Sequence, residues 1–334
     1  MRKDDMLFAI YNQLGRHMWM QRRPTDMRGR YVSDRVDDFE PNWRKRMEYA
    51  SKCGANAVVV DVAEMLQYPS HPEIWIDGAW SAEKMNGWVK WLKSLGFRDV
   101  IPSLNFSTDH DLWLGQYSRM ISTPQYYGVC ADLIRDTYEI FDRPRLFNYG
   151  MDEESLHNLT TSPNHRNGII VLRQGDLYWH DNLFFVKEIE SLGARAWTWS
   201  DKIWWSREDY LKNMPKSVLQ SNWFYGPTFT EGGKGWKKYH KMEVEAYEVL
   251  EKAGYDQVPG CSNCCDDTEN GFSRKNSPNI RLTFDYCRTH IAPERLLGFH
   301  AMSWSGVTPS GDSDFFTVCD MFRDAIASFS PLQV

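Results

Sequence analysis

The chain repeats one pattern eight times: a short apolar run, then a stretch with helical spacing. The runs are Leu7–Gln13, Asn56–Asp61, Asp99–Phe106, Arg145–Gly150, Ala194–Trp199, Val218–Phe224, Asp256–Cys261 and Leu296–Trp304. Helices are expected at Pro41–Lys52, Ser81–Leu95, Gln125–Phe141, Leu183–Leu192, Arg207–Asn213, Trp236–Lys252, Asn279–His290 and Phe315–Phe329. Such alternation buries a parallel sheet under its own crossover helices. Eight units averaging about 40 residues, with none left over, favour closure into a (β/α)8 TIM barrel. No Gly-rich phosphate loop follows the first run, which argues against an open dinucleotide-binding sheet. With no linker, low-complexity tract or shift in composition, residues 1–334 read as one barrel domain.

The fourth run ends in a cluster of acids, Gly150-Met-Asp-Glu-Glu154. Adjacent carboxylates repel, and low dielectric raises the pKa of at least one. Glycosidic bond cleavage uses such a pair: one group protonates the leaving oxygen while another carries or orients negative charge. The competing explanation is a helix N-terminus, where acids complement the helix dipole.

In a barrel the C-terminal strand ends converge on one face. That face then collects Arg16, Asp61, Asn105, Asp109, His110, Asp152, Glu153, Trp199, Asp201, Trp223, Tyr225, Asn263, His300 and Trp304. The rim is rich in acids, amides and indoles and poor in cations. This suits a neutral polyhydroxylated ligand, with carboxylates and amides on its hydroxyls and indoles on its ring faces. The 15 Trp, 16 Tyr and 17 Phe fit the same reading, although core packing accounts for part of them. A formal net charge of -6 without a long basic run argues against nucleic acid as a partner.

No run of about 18 apolar residues is present, so no membrane span is expected. The stretch Met1-Arg-Lys-Asp-Asp-Met-Leu-Phe8 lacks a hydrophobic leader. Cys261-Ser-Asn-Cys-Cys265 has no second cluster to complete a zinc site. Asp61, His110, Asp152 and His300 could ligate a metal in a barrel mouth, but their spacing does not demand it, and neither metal nor cofactor is expected. Each has a bland alternative: Asp61 on loop amides, His110 as a loop hydrogen-bonder, His300 as a satisfied core histidine.

Asn148-Tyr-Gly-Met-Asp-Glu153 resembles the His-x-Gly-x-Asp-Glu signature of family 20 glycoside hydrolases, the β-N-acetylhexosaminidases. Ile101-Pro-Ser-Leu-Asn-Phe106 with His110 resembles that family's third strand, and Gly298-Phe-His-Ala-Met-Ser-Trp304 its eighth. The resemblance implies an exo-acting glycosidase with a substrate-assisted mechanism, in which the sugar's 2-acetamido oxygen attacks the anomeric carbon. By position, Asp152 orients the acetamide and Glu153 is the general acid and base. Tyr225 is the candidate for the acetamido oxygen, and Trp199 and Trp223 fall where the family has aromatic walls. Arg16, Asp61, Asn105, His110 and Trp304 complete the expected substrate contacts.

The match is partial. Asn148 replaces the motif's histidine, and Trp304-Ser-Gly306 stands where the family has an acid, which suggests a divergent branch. Two rivals follow: a carbohydrate-binding barrel without turnover, and a metal-dependent hydrolase on the same fold. Relatives of this type act mostly outside the cytoplasm, so a periplasmic or secreted location would follow if a leader has been removed.

Overall fold

A computed structural model describes residues 3–14, 39–155, 172–263, 265–268, 271–273, 278–307 and 309–330. Eight parallel strands form the barrel: β1 (Leu7–Gln13), β2 (Ala57–Asp61), β3 (Asp99–Ser103), β4 (Leu146–Asn148), β5 (Arg195–Trp199), β6 (Leu219–Ser221), β7 (Gly260–Ser262) and β10 (Gly298–Met302). β1 to β6 pair in sequence order, and β10 returns between β1 and β7. The seam between β6 and β7 is held by the bridges Gln220–Gln257 and Trp223–Gly260. The expected (β/α)8 barrel is therefore the fold.

Period-two alternation divides each strand between two cores. In β2, Ala57 and Val59 face the barrel axis with Leu7, Ala9, Ile101, Leu146, Trp197 and Leu219. Val58 and Val60 face outward onto the helices with Phe8 and Ile10. All five residues of β2 are buried, as a strand covered on both faces must be.

The helices are α1 (Glu40–Lys52), α2 (Ala82–Ser94), α3 (Pro124–Ile140), α4 (Gly175–Ser191), α5 (Lys202–Trp205), α6 (Arg207–Asn213), α7 (His240–Lys252), α8 (Asn279–His290) and α9 (Pro309–Ser328). In α2, Ser81 caps the Lys84 amide at 3.1 Å, and Met85, Trp88, Val89 and Leu92 form the buried stripe.

The strands are mostly shorter than the expected runs, and four elements start about four residues or more from expectation. The α4 helix begins eight residues before Leu183, because Tyr178, Trp179, Asp181 and Asn182 also pack inward. The α7 helix begins at His240 rather than Trp236, after a loop in which Gly232 and Gly235 adopt positive φ. The α9 helix begins at Pro309, six residues before Phe315. Strand β7 begins at Gly260, after Pro259, whose missing N–H cannot serve a ladder. A short hairpin, β8 (Cys265–Thr268) and β9 (Gly271–Ser273), follows it.

Candidate active site

The turn after β4 builds the site. Gly150, Met151 and Glu153 all take positive φ, at 72°, 72° and 62°. For Met151 and Glu153 that conformation is strained and persists only where neighbours impose it. Asn105, just beyond β3, is one such neighbour. Its Oδ1 accepts the Ser107 amide at 3.0 Å and the Met151 amide at 3.3 Å, and its Nδ2 donates to Asp152 Oδ1 at 2.7 Å. A Cβ at residue 150 would lie 2.0 Å from Asn105 Oδ1, so only glycine admits this contact. Ser107 Oγ donates to the Asp152 carbonyl. Asn148 bonds inward to Ser103 Oγ at 3.0 Å and joins β4 to β3.

These contacts bring Asp152 and Glu153 to the same nitrogen of one imidazole. His110 Nε2 lies 3.0 Å from Glu153 Oε2 and 3.5 Å from Asp152 Oδ2. Burial alone would lower the His110 pKa, but the Asp152 charge and the bonds to Asp152 and Glu153 reverse this, and it rises well above 6.5. The imidazole is therefore a cation whose Nε2 faces two carboxylates. Side-chain exposure differs sharply across the group: 3% for His110, 13% for Asp152 and 30% for Glu153. Glu153 is the member of the trio that an incoming molecule can reach.

Three more acids surround the trio. Asp61, at the end of β2, accepts from Tyr11 Oη at 2.8 Å, and burial pushes its pKa up to about 8. Burial likewise pushes Asp109 up to about 7. Asp201, after β5, accepts the Glu153 amide at 2.8 Å and is raised by burial and by the Asp152 charge. Glu154 has a different task. It forms a fully buried ion pair with Arg173, whose guanidinium also holds Asp181 at 3.1 Å and the Phe106 carbonyl at 2.6 Å.

An aromatic wall stands beside the acids. Trp223 stacks on Tyr225 at 4.9 Å, and Trp304 meets Tyr11 at 5.1 Å and Tyr225 at 6.4 Å. Trp223 and Trp304 keep exposed surface. Trp199 does not: it is buried in the barrel, stacked on His300 at 5.2 Å and edge-on to Tyr11. Gly260 lies beside it in a crowded place, where a Cβ would come within 2.9 Å of Met302 Cε, 3.1 Å of Trp223 Cβ and 3.3 Å of the Trp199 ring. The expected wall residue is thus a layer beneath the wall.

His300 is buried, as expected, yet it is not satisfied. Neither ring nitrogen has a hydrogen-bond partner among the described residues, and burial lowers its pKa to about 3. The four-residue metal set is not assembled. Among the described residues, Asp109, His110 and Glu153 are the group that brings ligand atoms within 4.8 Å of one another. Arg16 lies outside the described residues. Tyr11, which sequence reasoning did not select, carried one signal: it follows Leu7 and Ala9 at the inward period of β1.

No family model matches the sequence, and no curated protein matches it. Solved structures do match. A pneumococcal StrH structure is similar at TM-score 0.56 and 13% identity, covering 97% of this chain and 84% of that one. A family 20 exo-β-N-acetylglucosaminidase from Vibrio harveyi is similar at TM-score 0.57 and 12% identity, and this chain spans 54% of its length. A family 5 glycoside hydrolase from Prevotella bryantii is similar at TM-score 0.56 and 12% identity, covering 97% and 98% of the two chains. At these identities the likeness shows the barrel fold, and it extends across more than one glycoside hydrolase family. Among the described residues no helix is long and apolar enough to cross a membrane.

Proposed function

We propose that the protein is a glycoside hydrolase in which Glu153 is the general acid and base and Asp152 its partner. The observation that carries this reading is the pairing of both carboxylates with the His110 imidazolium beside a partly exposed aromatic wall. The His110 imidazolium donates from Nε2 to Glu153 Oε2 across 3.0 Å, and Glu153 is the more exposed of the two. The imidazolium passes its proton to Glu153, which delivers it to the glycosidic oxygen as that oxygen's bond to the anomeric carbon breaks. Water then bonds to the anomeric carbon and gives a proton to Glu153, from which His110 is recharged. Asp152, fixed by Asn105, sets its carboxyl group beside the developing oxocarbenium ion.

The substrate is a neutral sugar stacked on Trp223 and Trp304, removed from a chain end. Where it carries a 2-acetamido group, Asp152 Oδ2 orients the nitrogen, Tyr225 receives the oxygen, and attack is internal to the substrate. The resemblance of the β4 motif to family 20, together with similar structures from that family, supports this finer reading. The three donors at Asp109, His110 and Glu153 favour a second reading, a metal-dependent hydrolase.

A panel of aryl glycosides separates them, assayed with wild type, Glu153→Gln and Asp152→Asn, with and without chelator. The expected result is a loss of about 10²–10⁴-fold in kcat for Glu153→Gln, a loss for Asp152→Asn, and no chelator effect. Full turnover by Glu153→Gln would remove the acid assignment. Chelator-sensitive activity would establish the metal reading.

A further inference from the structure

The Asp201 carboxyl touches the proposed acid only through its backbone. Its Oδ2 accepts the Glu153 amide at 2.8 Å across 48 residues of sequence, joining the end of β5 to the end of β4. The amide it holds belongs to a residue at φ 62°, in the left-handed region that a glutamate rarely adopts. Without an acceptor, that part-buried amide would relax toward an ordinary turn and carry the carboxyl away from His110.

We infer that Asp201 is a positioning residue that locks Glu153 in its left-handed conformation and so aims the Glu153 carboxylate at His110. The inference rests on the reading of Glu153 as acid for its kinetic consequence, but not for the contact itself.

Three observations support it. Asp201 is 3% exposed, so water does not replace the bond cheaply. Asp201 Oδ1 has no hydrogen-bond partner among the described residues, so the Glu153 amide is the contact that justifies burying this carboxyl. Burial and the charge of Asp152 favour the neutral acid at Asp201, and a neutral carboxyl accepts from an amide as a carboxamide does. Asparagine should therefore preserve the function, and residues too short to reach should not. The other contacts of the turn, through Asn105 and Ser107, hold Met151 and Asp152 and leave the Glu153 amide to Asp201.

The test compares wild type with Asp201→Asn, Asp201→Ala and Asp201→Ser, the last as a second shortened variant should the alanine protein fold poorly. On a turned-over aryl glycoside, Asp201→Asn should stay within about threefold of wild type in kcat. The shortened variants should lose roughly 30-fold or more in kcat with KM within about twofold. Hydrogen–deuterium exchange of the peptide spanning residues 150–155 supplies a readout independent of turnover. The Glu153 amide should stay protected in wild type and Asp201→Asn and exchange faster in the shortened variants. Unchanged protection in Asp201→Ala and Asp201→Ser overturns the inference, and so does an asparagine variant as impaired as alanine. If Glu153→Gln proves active, the exchange data still decide the contact, so the two failures are distinguishable.

Discussion

Replacing Gly150 by alanine puts two demands on one atom. The backbone sits at φ 72°, where an L side chain is strained, and the new Cβ would fall 2.0 Å from Asn105 Oδ1. Asn105 cannot yield without dropping Asp152 Oδ1 and the Ser107 and Met151 amides. We expect Gly150→Ala to cost about 3 kcal/mol or more of stability and to abolish turnover, read by urea denaturation and aryl glycoside assay. Asn105→Ala removes the obstacle but also the bonds. The double variant should therefore melt above Gly150→Ala alone while remaining inactive; a double variant no more stable than Gly150→Ala would show that the clash is not what destabilises it.

At the scale of elements, the turn after β4 is held from outside by Arg173, which precedes α4. Arg173 and Glu154 are both fully buried, and the guanidinium reaches the Phe106 carbonyl after β3 as well. Glu154→Gln leaves that guanidinium under-compensated, with Asp181 as its remaining carboxylate. Such a change typically costs about 3–5 kcal/mol. The expected outcome is a large fall in the urea midpoint with near-normal kcat in the fraction that stays folded. A catalytic Glu154 would reverse that pattern.

The elements were legible because short apolar runs alternate with amphipathic stretches: Val58-Val59-Val60 suits a strand covered on both faces, and Trp88, Val89 and Leu92 recur at helical spacing. The pairing of Asp152 with Glu153 was legible as a motif. What holds the pair was not, because positive φ at Met151 and Glu153 and the reach of Asn105, Asp201 and Arg173 depend on contacts between residues 19 to 48 apart. The burial of Trp199 was hidden for the same reason. Its strand position placed it inward, but only packing against His300 and Gly260 determined its depth.

For the whole molecule, gathering carboxyls at one end of the barrel makes stability depend on pH. Asp61 is raised from 3.8 to about 8 and Asp109 from 3.8 to about 7. Between those limits the folded protein retains protons that the unfolded chain has released. Stability therefore falls as pH rises, by about 1.4 kcal/mol per pH unit for each group. His110 has the same sign: its raised pKa gives stability present below 6.5 and lost as pH climbs through the folded value. Asp99 and Asp181, lowered by Arg145 and Arg173, have the opposite sign and lose their contribution as pH falls below the usual carboxylate range. The maximum should lie near pH 4–5, and melting temperature should decline from pH 5 to pH 8. Asp61→Asn isolates one proton of that decline, since its amide oxygen can still accept from Tyr11 and it has nothing to titrate. The wild-type gap in melting temperature between pH 5 and pH 8 should exceed the variant's by several degrees, at roughly 2 °C per kcal/mol for a chain of this size. Equal gaps would mean that Asp61 is already ionised in the folded barrel. The mouth would then hold one more negative charge beside Asp152 than burial of a neutral Asp61 implies.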